Sequence, residues 1–341
     1  MAPVRVLLLA DTHLGFDLPR RPRSARRRRG PDFFANVERA LSPALSGEVD
    51  LVVHGGDLLF RSKVDAGLVA EALAPFRAVA DGGVPVFIVP GNHERSRIPF
   101  PLLAQHPHLH IFDRPRTFEV EVGGVAVSLS GFPFVAEVGR AFGAAVGASG
   151  FAAGVDGVKL LCMHQSVEGA RVGPSGYTFR PGPEVVSARD IPGCAAVLCG
   201  HIHRAQVLTA GLDGRPMRAP VLYPGSVERT SFAERFEDKG FMVLEFEGTA
   251  SGGRLVRRRF VRLGARPMVV LDVEVGGLGV EALEAEVAAQ LGALDPDAVV
   301  QLRAVGEVGA AARAVLGSRL ASLAPVTMNV SVSGRLWAEG A

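Results

Sequence analysis

Five apolar segments of this sequence each lead into residues that can bind a metal ion. These residues are Asp11 and His13, Asp57, Asn92 and His93, His164, and His201 and His203. Short apolar segments rich in β-branched residues and closed by glycine predict buried strands. In open α/β sheets, the active site lies just outside the carboxyl ends of the strands. We therefore expect one shared polar cluster at that edge, and its mixture of Asp, Asn and His predicts a metal site.

The motifs around these residues resemble a known family. In chain order they are Asp11-Thr12-His13, Gly56-Asp57, Gly91-Asn92-His93-Glu94, His164 and Gly200-His201-Ile202-His203. This order resembles that of the calcineurin-like metallophosphoesterases over roughly residues 4–247. The resemblance implies an α/β fold, a four-layer α/β/β/α sandwich of two mixed sheets. It also implies an enzyme that hydrolyses phosphate esters.

The resemblance further assigns a role to each motif residue. One metal ion would be bound by Asp11, His13, Asp57 and His203. A second would be bound by Asp57, Asn92, His164 and His201, so that Asp57 bridges the two ions. Two neighbouring divalent ions can polarise a phosphoryl group and activate a bound water. The ligand set predicts Mn²⁺, with Fe²⁺ or Zn²⁺ tolerated. His93 would contact the phosphate and act as the catalytic general acid.

Each of these residues also has a purely structural alternative. Asp or Asn after a strand often caps a helix or shapes a turn. A single histidine such as His164 is often a hydrogen-bonded core residue. The joint occurrence of all the motifs favours metal binding over these alternatives. His54 matches no motif position, and we expect it to be a core residue.

The predicted elements alternate in the first part of the chain. They are strand 4–10, helix 31–46, strand 50–54, helix 65–81, strand 85–90, a hairpin at 118–122 and 125–130, strand 158–163 and strand 195–199. Antiparallel strands are predicted at 205–210, 219–223, 240–246 and 254–263, whereas 165–183 shows no clear element. After a linker at 263–267, a βαβαβ unit is predicted. The expected domains are therefore a phosphoesterase domain, 1–265, and a small α+β capping domain, 266–341.

Within the superfamily, the chain resembles the SbcD-type DNA-repair exonuclease subunit. The resemblance rests on Asp11–Gly15 with Asp32-Phe33-Phe34, and on Tyr223–Arg229 followed by Lys239-Gly240-Phe241. The small domain at 268–333 also matches the DNA-capping domain of that group in position, which is why we call it a capping domain. It implies a metal-dependent nuclease, exonuclease or endonuclease, that hydrolyses DNA in repair. A small-molecule phosphodiesterase or phosphomonoesterase is the alternative enzyme. A non-catalytic DNA-binding protein is a third hypothesis, disfavoured because every motif position is intact.

Two features depart from the SbcD-type pattern. Phe60 stands three residues after Asp57, where many related nucleases have His or Asp. The chain also ends at Ala341, which leaves no room for the helical module that docks an SbcC-type ATPase. We therefore expect a protein that works without this partner or docks it differently. A homodimer is compatible with the sequence.

Seven arginines lie close together after the first motif. They are Arg20, Arg21, Arg23, Arg26, Arg27, Arg28 and Arg29. The chain as a whole carries a net charge of only +2, so the remainder is acidic. The segment follows His13 and precedes a predicted helix start, and arginine binds phosphate oxygens well. We expect it to contact the DNA backbone at the rim of the site; a solvated loop is the alternative.

Composition excludes several other classes of protein. Hydrophobic residues make up 48% of the chain, which is typical of well-buried cores. No apolar segment reaches the length of a membrane span, and no signal peptide precedes Asp11. The three cysteines form no CxxC pair, which disfavours a disulfide framework and predicts a reducing, cytoplasmic location.

Overall fold

The computed structural model describes residues 2–18, 27–151 and 156–333. They divide into two compact units. The first unit is built from the described parts of Met1–Phe16, Gly30–Arg229 and Phe236–Gly264. The second unit is built from those of Asp17–Arg29, Thr230–Arg235 and Ala265–Ala341.

The first unit contains two six-stranded sheets and several short strands. Its strands are β1 Val4–Leu9, β2 Leu51–His54, β3 Val86–Ile88, β4 Leu109–Ile111, β5 Arg116–Val122, β6 Val125–Gly131, β7 Val158–His164, β8 Ser166–Val167, β9 Arg171–Val172, β10 Tyr177–Thr178, β11 Val185–Val186, β12 Ala196–Gly200, β13 Gln206–Ala210, β14 Pro216–Tyr223, β15 Gly240–Glu247 and β16 Arg254–Arg262. Its α-helices are α1 Gly30–Leu45, α2 Ala66–Asp81 and α3 Val138–Ala148. Short 3-10 helices span Pro101–Ala104 and Ala188–Asp190.

Both large sheets are mixed. The first has the order β16-β15-β1-β2-β3-β4, in which β1 to β4 are parallel and the β1–β15 and β15–β16 pairs antiparallel. The second has the order β13-β14-β12-β7-β6-β5, with antiparallel pairs at both edges and parallel pairs between them. Parallel central strands place their carboxyl ends at a common edge, where loops meet.

Side-chain alternation along β1 explains the layers. Leu7 and Leu9 pack into a core with residues of α1 and α2, whereas Val6 and Leu8 face the second sheet. The opposite face of the second sheet packs against α3 through Phe142. Successive strand residues point to opposite faces, so each sheet buries both of its faces. These layers confirm the predicted α/β fold with two mixed sheets.

Two parts of this unit differ from the sequence-based expectation. Strand β4 was not predicted, because it has only three residues in a segment rich in His and Pro. The segment 165–183 contains β8, β9 and β10, and β8 pairs with β11. Each of these strands has two residues, which is too short for a hydrophobic period to be visible.

The second unit has a core of its own. Its elements are β17 Met268–Glu274, α4 Val280–Gly292, β18 Val299–Val305, α5 Ala310–Ala314, a π-helical turn Val315–Arg319, α6 Leu320–Leu323 and β19 Asn329–Val332. The three strands form a parallel sheet in the order β17-β18-β19. Val273, Val287, Leu302 and Leu316 are buried between this sheet and the helices.

Among the described residues of the chain, no helix combines the length and apolar character needed to cross a membrane.

Candidate metal centre

The carboxyl ends of five strands meet at one edge of the first unit. In the first sheet, Leu9 pairs with His54 and His54 with Ile88, so β1, β2 and β3 end level with one another. In the second sheet, Gly200 pairs with His164 at the ends of β12 and β7. The two edges are joined by a 2.8 Å hydrogen bond from His164 Nδ1 to the Gly55 carbonyl oxygen. The motif residues therefore surround one space.

Four of these residues adopt left-handed backbone conformations, which non-glycine residues rarely populate. The φ angles are 51° at Asp11, 43° at His13, 54° at Asp57 and 86° at His201. An extended chain would send alternate side chains to opposite faces of the sheet. The left-handed turns direct these side chains into the site, and backbone strain of this kind is concentrated at functional sites.

Two motif glycines are required by close packing around Asp57 and His164. A Cβ atom at Gly91 would lie 2.2 Å from Asp57 Oδ1 and 2.5 Å from the Asp57 backbone nitrogen. A Cβ atom at Gly56, whose φ is +110°, would lie 2.2 Å from His164 Nδ1. Neither separation is sterically possible for a side chain. The motifs thus include glycine because the backbone itself approaches the site side chains.

The first group of donor atoms comes from Asp11, His13 and His203. One ligand atom from each lies within 4.8 Å of the others, and His13 Nε2 is 2.9 Å from His203 Nε2. Burial lowers the pKa of His13 well below its usual range, so its imidazole is neutral and can donate a lone pair. Among the described residues, the buried His13 Nδ1 has no hydrogen-bond partner. A histidine with an orphaned nitrogen, grouped with a carboxylate and a second imidazole, fits a cation site.

The second group is centred on Asn92. Its Oδ1 lies 3.0 Å from His164 Nε2 and 2.9 Å from His201 Nδ1. Asp57 Oδ2 lies 3.4 Å from His164 Nε2, and Asp57 also belongs to ligand groupings with Asp11 and with His13. Asp57 is thus within reach of both groups. The predicted ligands are gathered in the arrangement expected for two ions that share one carboxylate.

The charges in this cluster are strongly coupled. Burial alone would raise the pKa of Asp57, but the His164 imidazolium and neighbouring histidines hold it well below its usual range. Burial alone would lower the pKa of His164, but the Asp57 carboxylate raises it to about 9. Burial lowers the pKa of His201 to about 3. Asp57 is therefore ionised, and His164 carries the compensating proton in the metal-free protein.

Glu94 joins the two turns that carry Asp57 and Asn92. Its carboxylate accepts hydrogen bonds from the Leu59 nitrogen at 2.6 Å and from the Gly91 nitrogen at 2.7 Å. Burial, followed by the nearby Asp57 carboxylate, raises the pKa of Glu94 to about 8. The role of Glu94 was not predicted from the sequence, although its place at the end of the Gly91–Glu94 motif was the available signal.

His54 is hydrogen-bonded to the turns that carry the first and second motifs. It is fully buried, as expected of a core residue. The Gly56 nitrogen donates to His54 Nδ1 at 3.2 Å, so Nε2 carries the proton and donates to Thr12 Oγ1 at 3.0 Å. Thr12 in turn donates to the Leu58 carbonyl oxygen at 3.0 Å. His54 thereby fixes the turns on both sides of the cluster without contributing a ligand.

His93 lies beside Asp57 with one nitrogen directed away from the cluster and one toward it. Its backbone nitrogen donates to Asp57 Oδ1 at 2.9 Å, and its Nε2 is 3.8 Å from Asp57 Oδ2. Its side chain is 35% exposed, unlike that of the buried His164. His93 can therefore meet a substrate from solvent while remaining next to the cluster.

The aromatic ring of Phe60 borders the same side of the cluster. Its centroid lies 5.9 Å from that of His93, 6.4 Å from that of His13 and 4.9 Å from that of Phe16. An apolar ring thus lines this side of the cluster. Phe60 can therefore shape the site but cannot contribute a ligand or a proton from its side chain.

The arginine segment is only partly described. Arg20, Arg21, Arg23 and Arg26 lie outside the described residues. Arg27 pairs with Asp297 at 3.0 Å, and Arg28 pairs with Asp17. Arg29 is buried, and its backbone nitrogen donates to Asp17 Oδ2 at 2.9 Å. The last three arginines thus have structural partners within the second unit.

The chain is similar in sequence to several known proteins. DNA double-strand break repair protein Mre11 of Haloferax volcanii is 31% identical over 317 residues, which are 89% of this chain and 62% of that protein. Mre11 of Halobacterium salinarum is 27% identical over 283 residues, covering 80% of this chain and 63% of that protein. The chain thus spans less than two thirds of the length of these curated relatives. A dimetal phosphatase from Danio rerio superposes with a TM-score of 0.41 and 13% identity, covering 77% of this chain and 99% of that one. The family described as calcineurin-like phosphoesterase matches residues 4–205, and the chain belongs to this family.

Proposed function

We propose that this protein is a metal-dependent nuclease that hydrolyses phosphodiester bonds of DNA. The observation that carries the proposal is the pair of donor groups sharing Asp57, with His93 Nε2 3.8 Å from Asp57 Oδ2. Such an arrangement suits a phosphate ester bound at the cluster with its leaving oxygen near His93. The family implies divalent metal ions, and the residues present fit them through the orphaned His13 Nδ1.

The ligand assignment follows the two donor groups. We propose that Asp11, His13, Asp57 and His203 hold one ion. We propose that Asp57, Asn92, His164 and His201 hold the other. Two divalent ions, when bound, polarise the phosphoryl group and supply a nucleophilic water. Carboxylate, amide oxygen and imidazole donors suit Mn²⁺, with Fe²⁺ or Zn²⁺ as alternatives.

The chain's own residues would orient the substrate and move one proton. The Asp57 carboxylate, kept ionised by the histidines around it, fixes the His93 backbone through its 2.9 Å hydrogen bond. His93 Nε2 then donates its proton to the leaving oxygen of the ester. Gly55 orients the His164 ring by accepting the 2.8 Å hydrogen bond from Nδ1, which directs Nε2 to the site.

Two facts favour DNA over a small ester as the substrate. The relatives reported above are named as proteins of DNA double-strand break repair. The arginine segment supplies positive charge next to a motif residue in the sequence. Phe60, in place of a polar residue, counts for the alternative, a small-molecule phosphodiesterase or phosphomonoesterase.

One experiment separates these functions. The purified protein would be incubated with Mn²⁺ and linear DNA, closed circular DNA, bis-p-nitrophenyl phosphate or p-nitrophenyl phosphate. We expect cleavage of linear DNA and of the diester, and loss of both in Asp57→Ala together with most bound Mn²⁺. Cutting of closed circles would indicate endonuclease action. Turnover of the monoester with DNA left intact would overturn the proposal in favour of the alternative.

Further proposals concern the small domain, the arginine segment and the partners of the protein. We propose that 266–341 forms a DNA-capping domain that follows a phosphoesterase domain, 1–265, in the chain, and that four of the seven arginines, Arg20, Arg21, Arg23 and Arg26, contact phosphates. Replacing Arg20, Arg21, Arg23 and Arg26 with Ser should flatten the salt dependence of DNA binding by about 0.9 per lost contact on duplex. Light scattering would test the homodimer, and co-purification would test an SbcC-type ATPase partner.

A further inference from the structure

Strands β9 and β10 form a small hairpin shortly after His164. Tyr177 pairs with Val172, and Thr178 pairs with Arg171. The segment 169–182, which contains the hairpin, has two arginines, two aromatic residues and no acidic residue. This combination of positive charge and aromatic rings is typical of surfaces that bind single-stranded nucleic acids.

The hairpin is fastened to the chain that directly follows His203. The Arg171 backbone nitrogen donates to Gln206 Oε1 at 2.8 Å, and Gln206 Nε2 donates back to the Arg171 carbonyl oxygen at 2.9 Å. Arg204 Nη2 donates to the Gly173 carbonyl oxygen at 2.6 Å. The hairpin is therefore attached to Arg204 and Gln206, which follow His203 in the chain.

Ionic contacts connect the Arg204 side chain to the backbone of His203. Arg204 Nε lies 3.0 Å from Glu237 Oε1, and Lys239 Nζ lies 3.3 Å from Glu237 Oε2. The buried Lys239 ammonium also donates to the His203 carbonyl oxygen at 3.0 Å. The same network thus positions the His203 ligand and the Arg204 side chain that holds the hairpin.

The hairpin presents an aromatic ring to solvent. Tyr177 is 60% exposed, whereas the chain's other tyrosine, Tyr223, is fully buried. The Tyr177 ring packs edge to face on Phe179, with centroids 5.4 Å apart and planes at 84°. Phe179 is anchored against the core of the second sheet. The Tyr177 ring is therefore supported by its neighbour and accessible to a ligand.

Two cations flank this ring in the sequence. Within the described part of the chain, neither Arg171 nor Arg180 has a carboxylate partner, and Arg171 is exposed. Unpaired guanidinium groups remain available for phosphate oxygens. The hairpin segment thus carries a supported aromatic ring that could meet a base, and two nearby cations in the sequence that could meet the phosphate backbone.

We propose that the 171–178 hairpin binds single-stranded DNA beside the metal centre, with Tyr177 stacking on a base and Arg171 and Arg180 contacting phosphates. The proposal rests on the proposed nuclease function and names the form of its substrate. A duplex keeps its bases stacked on one another, so only an unpaired strand or a frayed end offers a base face to Tyr177.

The test measures binding by the full chain in EDTA, so that no DNA is cut. Fluorescence anisotropy would follow a labelled 15-nucleotide thymidine oligomer and a blunt duplex. Stacking contributes about 1–3 kcal/mol per base, so Tyr177→Ala should weaken oligomer binding by about 5- to 150-fold and duplex binding less. Tyr177→Phe should bind like the parent, whereas Tyr177→Leu should not, because leucine is apolar but cannot stack.

Two controls separate stacking from general surface effects. Leu212→Ala removes another exposed apolar side chain, which is 50% exposed, and should leave binding unchanged. Arg171→Ser with Arg180→Ser should reduce the slope of log K against log salt by about 1.4 on single strands, or 0.7 per contact. All variants should hydrolyse bis-p-nitrophenyl phosphate like the parent.

The failures of this proposal and of the proposed function are distinguishable. If Tyr177→Ala bound single strands like a DNA-cutting parent, the hairpin proposal would be wrong and the nuclease function would stand. If the parent hydrolysed only small esters and bound no DNA, both proposals would be wrong. A change in oligomeric state with unchanged DNA affinity would overturn the proposal by identifying the hairpin as a contact between proteins.

Discussion

His93 Nδ1 donates a hydrogen bond to the backbone carbonyl oxygen of Phe60 at 2.5 Å. A carbonyl oxygen can only accept a hydrogen bond, so this contact assigns a proton to Nδ1. Nε2 is therefore the nitrogen that can exchange a proton with a substrate. The residue that departs from the SbcD-type pattern in its side chain therefore orients the proposed general acid through its main chain. That role is independent of the side chain at position 60.

Replacing His93 should impair catalysis without emptying the metal centre. We expect His93→Ala to bind metal normally and to hydrolyse DNA about 10²–10⁴-fold more slowly, because no group would protonate the leaving oxygen. Bis-p-nitrophenyl phosphate should be affected less, since nitrophenolate leaves without protonation. Turnover and metal content would be measured together, with the exposed His108→Ala as control. Equal losses on both substrates would mean that His93 positions the phosphate and transfers no proton.

Replacing Glu94 should change how the stability of the protein depends on pH. Glu94 accepts hydrogen bonds from both the Leu59 and Gly91 nitrogens, whereas the amide nitrogen of glutamine cannot accept, so at pH 6 Glu94→Gln should cost about 1–3 kcal/mol of unfolding free energy. Burial and the Asp57 carboxylate raise the pKa of Glu94 from 4.5 to about 8, so the folded parent holds a proton that the unfolded chain has released. The parent should therefore lose about 1.4 kcal/mol of unfolding free energy per pH unit between pH 6 and 8, a loss that the non-ionisable glutamine avoids, and the cost of Glu94→Gln should shrink or reverse at pH 9.

Urea unfolding of the metal-free protein would measure both values. The matched control is Glu184→Gln, because Glu184 is exposed and should show no difference at either pH. A cost at pH 9 as large as that at pH 6 would show that the folded parent does not retain the Glu94 proton.

Adding one methyl group at Gly91 should disrupt the centre. The new Cβ would overlap Asp57 Oδ1, so Gly91→Ala must displace Asp57, the proposed shared ligand. We expect loss of most bound metal, of activity and of thermal stability. Gly143→Ala is the control, because among the described residues no atom outside its own helix backbone and chain neighbours lies within 4 Å of a Cβ placed there. Alanine at this position should stabilise α3 by about 0.5–1 kcal/mol. Metal analysis and thermal melts would check both, and a fully loaded Gly91→Ala protein would contradict the prediction.

The α/β fold and the convergence of the motif residues could both be predicted from the sequence, because both follow from patterns within short segments of the chain. Buried apolar strands end at glycine turns, and parallel strands share an edge, so Asp57, His164 and their neighbours had to converge. What the sequence could not predict depends on contacts between distant segments. The Glu94 link to Leu59 and the hold of Arg204 on Gly173 are examples. Neither contact produces a recognisable sequence pattern. In each, one partner is a backbone atom, which residues of almost any type can supply.

The ionisation of His164 predicts how metal binding and stability depend on pH. In the metal-free protein, the Asp57 carboxylate raises the pKa of His164 from its ordinary 6.5 to about 9, against the opposing effect of burial. A raised histidine pKa contributes stability that is fully present below pH 6.5 and lost as pH rises through 9. The metal-free protein should therefore lose stability over this range, because the folded state holds a proton that the unfolded state has released.

Metal binding must displace that same proton, since Nε2 cannot hold a proton and a metal ion together. The affinity for Mn²⁺ should therefore rise about tenfold per pH unit between pH 6.5 and 9 for one released proton, and then level off. Calorimetric titrations at pH 7.5 in buffers of different ionisation enthalpy would count the protons. We expect about one from the parent at this site and fewer from His164→Asn. Titrations that release no proton at pH 7.5 would show that His164 is already neutral, and that Asp57 is balanced by another group.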